Sequence, residues 1–170
     1  MTEPLVAFAL VRMDDRLLHG QVALNWVGKL RPACVAIVDY VLASAPETHA
    51  LYRLALPEQV VLWIGEPAAA ADALLGDAAV APEATLVLVR GPAEALALFE
   101  AGVRFAALNL GMRGAAPGRA LVSRQLSLSR DDHALLCALV ECGVRLTVQA
   151  LPNDAPLSWR EIACRVERHF

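Results

Sequence analysis

The sequence is short of several things, and each shortage excludes a class of protein. Lys29 is its only lysine, and the net charge is −3, so there is no general attraction toward nucleic acid. Aromatic residues make up 5% of the chain, so a core has to be built from Ala, Val and Leu. Hydrophobic residues reach 57%, yet no apolar stretch is long enough to span a bilayer. The most apolar segment, residues 67–82, is broken by Asp72, Gly76 and Asp77. Met1–Pro4 carries no basic region ahead of an apolar run, so it does not read as a signal peptide. Cys34, Cys137, Cys142 and Cys164 form no CxxC pair and no metal-ligand spacing, which points to free thiols in a reducing, cytoplasmic setting. GxGxxG, GxxxxGK[ST] and G-x-S-x-G are all missing, which disfavours the common nucleotide and hydrolase chemistries.

What is present alternates between short β-branched runs and helical stretches. Strands are expected at Ala7–Val11, Ala33–Val38, Val60–Ile64, Thr85–Val89, Phe105–Leu110, Leu121–Leu128 and Val144–Gln149. Helices are expected up to Leu30 after the first strand, from a capping box at Ser44–Glu47 to Leu56, over Pro67–Leu75 and over Pro92–Ala101. Two more follow caps at Ser129–Asp132 and Ser158–Glu161, and Gly102 and Gly143 act as terminators. Such alternation predicts an α/β fold of three layers: a mostly parallel central sheet of six to seven strands with helices on both faces. The polar alternation of Leu121–Leu128 suits an antiparallel edge strand. No linker is long enough to divide the chain, so residues 1–170 read as one domain.

The chemistry concentrates directly after the first strand, in Arg12-Met13-Asp14-Asp15-Arg16-Leu17-Leu18-His19-Gly20-Gln21-Val22. An open parallel sheet gathers its ligands at the carboxyl ends of its strands. Arg16 and His19 share a face if this hinge is already helical. Gly20 leaves room beside the histidine, and the amides at the start of the next helix favour an anion. A neutral imidazole is a nucleophile near pH 7, and a guanidinium can hold phosphate oxygens. On pattern alone, the same residues are compatible with a phosphoryl carrier, with a plain anion-binding hinge, or with solvated surface charges.

The stretch Arg12 to Val22, followed by Trp26, resembles the signature of the IIB components of the mannose/fructose/sorbose family of the bacterial sugar phosphotransferase system. Similar family segments are Leu51–Pro57, the turn Leu108-Asn109-Leu110-Gly111, and Gln149–Asp154. The resemblance implies a cytoplasmic phosphocarrier, peripherally associated with a membrane permease, with protein-N(pi)-phosphohistidine–sugar phosphotransferase activity. It places the phosphoryl acceptor at His19 and supporting roles at Arg12, Asp14 and Arg16, with Gly20, Gln21, Asp39, Asn109 and Asp154 lining the site. It implies a IIA phosphohistidine as donor and membrane IIC/IID components with bound sugar as acceptor. No cofactor, metal or nucleic acid is called for, and a homodimer is left open.

The pattern departs from the family at two loops. Tyr40 follows Asp39, Ala45 stands where an acid is expected, and Gly111 is followed by Met112 and Arg113. These departures keep a regulatory phospho-acceptor module in view as the alternative. Elsewhere, His49, His133 and His169 read as surface or helix-end residues, Asp131 and Asp132 as helix caps, and Trp26 as core. Arg113 and Arg119 are expected to line a partner surface or a solvated loop. The loops after the second, fifth and seventh strands are expected to converge on His19.

Overall fold

A computed structural model describes residues 5–76 and 80–169 of the chain. The N-terminal run weighed against a leader, and Asp77 as a break in the apolar segment, lie outside the described residues.

Among the described residues, seven strands form the main sheet, in the order β3-β2-β4-β1-β5-β8-β9. They are β1 (Leu10–Met13), β2 (Cys34–Val38), β3 (Val61–Gly65), β4 (Thr85–Val89), β5 (Ala107–Leu110), β8 (Arg145–Val148) and β9 (Leu157–Ser158). All neighbours are parallel except β8 and β9, which close one edge as an antiparallel pair. β2 and β4 are buried along their whole length, as an uninterrupted CVAIV or TLVLV run requires of strands covered on both faces.

The helices are α1 (Gly28–Leu30), α2 (Tyr40–Ala43), α3 (His49–Leu54), α4 (Pro67–Leu75), α5 (Pro92–Glu100), α6 (Arg130–Glu141) and α7 (Trp159–Glu167). Side-chain alternation divides the core into two layers. Val11, Met13, Val87, Val89, Leu108 and Leu110 pack with Leu98, Leu136 and Ile162 from α5, α6 and α7. Val35, Ile37, Leu86 and Leu88 pack with Leu17, Val22, Trp26 and Val27 on the opposite face. The fold is therefore three-layered, mostly parallel and covered on both faces. β1 is its central strand, with β4 on one side and β5 on the other. The connection from β1 runs to one side, toward β2, and that from β5 to the other, toward β8, so the carboxyl end of β1 lies at a topological switch point.

Four local expectations are corrected. Arg12 and Met13 belong to β1, because they pair in register with Leu88 and Val89, so the hinge begins at Asp14. The helical connection starts at Gly20 and widens into a π-helix over Val22–Val27 before α1; Arg16 and His19 thus share no helical face. The Ser44–Glu47 capping box does not form. Asp39 caps α2 by accepting from Leu42 N at 2.8 Å, and Ser44 ends that helix instead. Leu121–Leu128 is not a strand of the main sheet but a separate hairpin, β6 (Ala120–Ser123) and β7 (Leu126–Leu128), turning at Arg124 and Gln125. Neither turn residue is the Gly or Asn that marks a tight hairpin, so the alternation ran on unbroken in the sequence.

The capping box at Ser129 does form. Ser129 Oγ accepts from Asp132 N, and Asp132 Oδ2 accepts from Ser129 N, both at 3.0 Å. Arg113 adds a fork onto the same carboxylate, at 3.0 and 2.7 Å. Burial pushes the Asp132 pKa up, but the bonds from Arg113 and Ser129 outweigh it and hold the carboxyl below its ordinary value of 3.8. A carboxyl lowered by folding adds stability that is complete above 3.8 and is lost as the pH falls through its folded value. Asp132→Asn is expected to lower stability at pH 7 by about 1–3 kcal/mol. The penalty should shrink toward pH 3, as urea titrations of both proteins at the two pH values would show.

Candidate functional site

The site is built on a charged residue buried at the end of the central strand. Arg12 is 2% exposed, and Asn109, on β5, lies directly opposite it in the parallel ladder. Its Nη1 donates to Asn109 Oδ1 and, at 2.9 Å, to the Gln149 carbonyl. Its Nη2 donates to Asp14 Oδ2 at 3.0 Å and to the Ala150 carbonyl at 3.2 Å. The guanidinium carbon lies 4.9 Å from the Trp26 ring centre, a cation–π contact. Burial pushes the Arg12 pKa down, while the charge of Asp14 and the hydrogen bond to it act the other way. Its two Nη groups are committed to four acceptors fixed by the fold, while Nε is buried without a hydrogen-bond partner.

Gly111 is the residue that makes this possible. A Cβ there would overlap Arg12 Cζ and Nη2, so only glycine lets the loop after β5 pass beside the guanidinium. Asn109 and Gln149 also join each other, Nδ2 to Oε1 at 3.4 Å. The β8–β9 loop is pinned further by Trp26 Nε1 to the Ala150 carbonyl and Lys29 Nζ to the Pro152 carbonyl. Trp26 is therefore core on one side and a loop anchor on the other.

Arg12 holds Asp14, which is 1% exposed, and Asp14 in turn faces the histidine. Asp14 Oδ1 lies 3.2 Å from His19 Nε2 and accepts from Arg16 N, also at 3.2 Å. The contact with the ring is an ion-pair approach off the line of a hydrogen bond, and Nε2 itself is buried. The His19 side chain as a whole is 11% exposed. Between them the chain makes a tight turn, with Leu17 N donating to the Asp14 carbonyl at 2.9 Å. Leu17 sits in the left-handed region, φ 53°, an uncommon place for a branched aliphatic residue. Its side chain is fully buried against Val35 and Leu88, which holds the backbone there.

Neighbouring loops grip the hinge from outside. Asp15 N donates to the Met112 carbonyl at 2.9 Å, and Asp15 Oδ2 accepts from Gly114 N at 2.7 Å. Arg90, directly after β4, donates from Nη1 to the Asp15 carbonyl at 3.0 Å. It also forks onto Asp39, with Nε–Oδ2 2.6 Å and Nη2–Oδ1 3.0 Å. The Asp39 hydrogen bond is the main reason the Arg90 pKa is raised. By contrast Arg16 is exposed. Its guanidinium meets Met112 Sδ at 4.0 Å and, among the described residues, no carboxylate.

The structure thus brings Arg12, Asp14, Arg16 and His19 together with Gly20 and the exposed Gln21 at the start of the helix. Asp39 and Asn109 join through Arg90 and Arg12 without touching the ring. Asp154 closes its own turn, accepting from Leu151 N at 2.8 Å. The loops after β2, β5 and β8 therefore meet at the hinge and Arg12, through Arg90, Met112 and the Gln149 and Ala150 carbonyls. Arg113 and Arg119 do not present an open surface. Both lean on Asp132, which draws them toward α6. Arg90 was missed in the sequence; its signal was a lone cation placed immediately after the buried TLVLV run. Away from the hinge, His49 Nε2 lies 2.8 Å from the Leu42 carbonyl and His133 stacks on Trp159. No group of residues suited to a metal ion occurs among the described residues.

Comparison with known proteins follows the same outline. The family model described as PTS system sorbose subfamily IIB component matches residues 8–169. The chain is 28% identical over 145 residues to the N-acetylgalactosamine-specific phosphotransferase enzyme IIB component 2 of Escherichia coli K12, covering 85% of this chain and 91% of that one. It is 23% identical to the mannose-specific EIIAB component of the same strain, covering 96% of this chain but only 50% of that protein's length. The crystal structure of the IIBSor domain of the sorbose permease from Klebsiella pneumoniae superposes with a TM-score of 0.82, at 23% identity, covering 97% and 99% of the two chains. That of manxB from Thermoanaerobacter tengcongensis gives 0.81 at 25% identity, covering 98% of each.

Two glycines separate strut from approach. Gly111→Ala is expected to destabilise the chain by about 2 kcal/mol or more, because Arg12 must move. Gly20→Ala should cost no stability, since a Cβ there meets nothing within 4 Å. Thermal and urea melts of the two variants, side by side with the parent, check both.

Proposed function

Because the chain belongs to the sorbose-subfamily IIB components of the sugar phosphotransferase system, we propose that its phosphoryl acceptor is His19 and that the phosphate is carried on Nδ1. As a IIB component it is a phosphocarrier with phosphotransferase activity. The observation that supports the choice of residue and atom is the position of Asp14. Its carboxylate stands against the buried Nε2 and favours the tautomer with the proton there. The lone pair is then on Nδ1, the nitrogen not occupied by the carboxylate.

In the first transfer, the Nδ1 lone pair attacks the phosphorus of a donor phosphohistidine. The donor's P–N bond breaks and its electron pair returns to the donor ring. In the second, a sugar hydroxyl attacks the phosphorus, the bond to Nδ1 breaks, and the hydroxyl proton leaves to the freed imidazole. Both steps pass through a phosphoryl group with its charge spread over its oxygens. Arg16, exposed and free of carboxylates among the described residues, is the guanidinium that would meet that charge. Arg12 and Asp14 act behind the ring, fixing its position and tautomer. No metal or nucleotide is required, since the donor bond already carries the transfer potential.

The donor we propose is a IIA phosphohistidine, and the acceptor a sugar held by membrane IIC/IID components. Open space around Gly20 and the exposed Gln21 and Leu24 leave the helix start free for them to dock in turn. No described helix is long and apolar enough to cross a membrane; peripheral contact with the permease is part of the same family-based reading.

The test is incubation with phosphoenolpyruvate, the general phosphotransferase proteins and a IIA domain, followed by mass spectrometry. Acid-labile phosphate on His19 is expected, none on His19→Ala. Arg16→Ala should slow single-turnover transfer more than tenfold while moving stability by less than about 0.5 kcal/mol, as exposed substitutions do. Wild-type speed in Arg16→Ala would remove the clamp role. Phosphate on another residue would remove the reading as a whole.

A further inference from the structure

We propose that Arg90 is a positioning residue for transfer through His19, acting by locking the peptide group between Asp15 and Arg16. This rests on the reading of His19 as the acceptor.

That peptide is held at both ends. Its carbonyl, on Asp15, accepts from Arg90 Nη1 at 3.0 Å. Its amide, on Arg16, donates to Asp14 Oδ1 at 3.2 Å. Rotating the peptide plane would break both bonds at once. It would also swing the Arg16 side chain and withdraw one of the donors that hold Asp14 against the ring. The peptide lies one residue ahead of Leu17, whose backbone is left-handed with φ 53°.

Arg90 is fixed well enough to provide such a lock. It follows β4 directly, and Asp14 N donates to the Val89 carbonyl at 2.9 Å, so Arg90 stands level with the hinge. Two of its other N–H groups form a fork onto Asp39. Asp39 is fully buried and is itself immobilised as the cap of α2. A chain of fixed groups therefore runs from the end of β2, through Arg90, to the peptide beside the acceptor. The Arg90 side chain is nevertheless 35% exposed, so it is not simply core. Lysine could not replace it: a single ammonium cannot span both Asp39 oxygens and the Asp15 carbonyl in one geometry.

Wild type, Arg90→Gln and Arg90→Lys are compared by amide hydrogen exchange, by thermal melting, and by single-turnover transfer from a phosphorylated IIA domain at several donor concentrations. The expected result is a limiting rate about tenfold lower in both variants, with half-saturation unchanged and no rescue by lysine. Exchange should speed up across residues 15–20 while β2 and β4 stay protected. Should Arg90→Gln fail to fold, Arg90→Lys carries the same comparison. Wild-type transfer and hinge exchange in Arg90→Lys would overturn the proposal, because charge alone would then suffice. So would a change confined to half-saturation, which would make Arg90 a donor contact, or a lowered melting point with an unchanged limiting rate. If the wild-type chain itself takes no phosphate on His19, the functional reading fails and the positioning role with it. A phosphorylated wild type with indifferent variants removes only Arg90.

Discussion

A guanidinium buried at the end of a central parallel strand is costly unless acceptors meet most of its N–H groups. That requirement on Arg12 organises the carboxyl face of this sheet. It draws Asn109 from the neighbouring strand, two carbonyls from the loop after β8, and the carboxylate of Asp14 from its own chain. It also demands glycine at position 111 and an aromatic face at Trp26. Three segments far apart in sequence are thereby tied to one point. Asp14 emerges from that point with its second oxygen 3.2 Å from His19 Nε2.

The division of labour among the cations follows from their burial. Both Nη groups of Arg12 and the fork of Arg113 are committed to fixed partners inside the fold, and Arg90 is shared between the fold and the hinge. Arg16 alone among the hinge cations is exposed without a carboxylate among the described residues. A phosphocarrier needs both kinds. In the transfer proposed above, buried charges would fix the imidazole in advance and leave little reorganisation for the moment of transfer. An exposed charge can follow the phosphoryl group between two partners. The open space at Gly20 and the absence of a carboxylate on Arg16 among the described residues fit the proposed docking of two partners in turn.

Much of this was legible in the sequence. β-branched runs separated by helical stretches gave the sheet, and Gly102 and Gly143 stopped their helices with positive φ values. The polar residues from Arg12 to Gly20 stood out because few other charges cluster so tightly in an apolar chain. What could not be read was direction. Arg12 looks like a hinge residue in a string, yet it completes a strand, and three of its four acceptors arrive from positions about a hundred residues or more away. Arg90 and Asp39 each look ordinary until β2 and β4 are placed side by side. Arg113 looked available for a partner because its own partner, Asp132, caps a helix reached only after the intervening hairpin.

The central claim is that Asp14, held by Arg12, sets the tautomer of the acceptor ring. It is tested most directly by the ¹⁵N chemical shifts of the His19 imidazole in the unphosphorylated chain, at a pH where the ring is neutral. The account predicts a protonated Nε2 and a Nδ1 carrying the lone pair. A ring protonated at Nδ1, with Nε2 free, would contradict it.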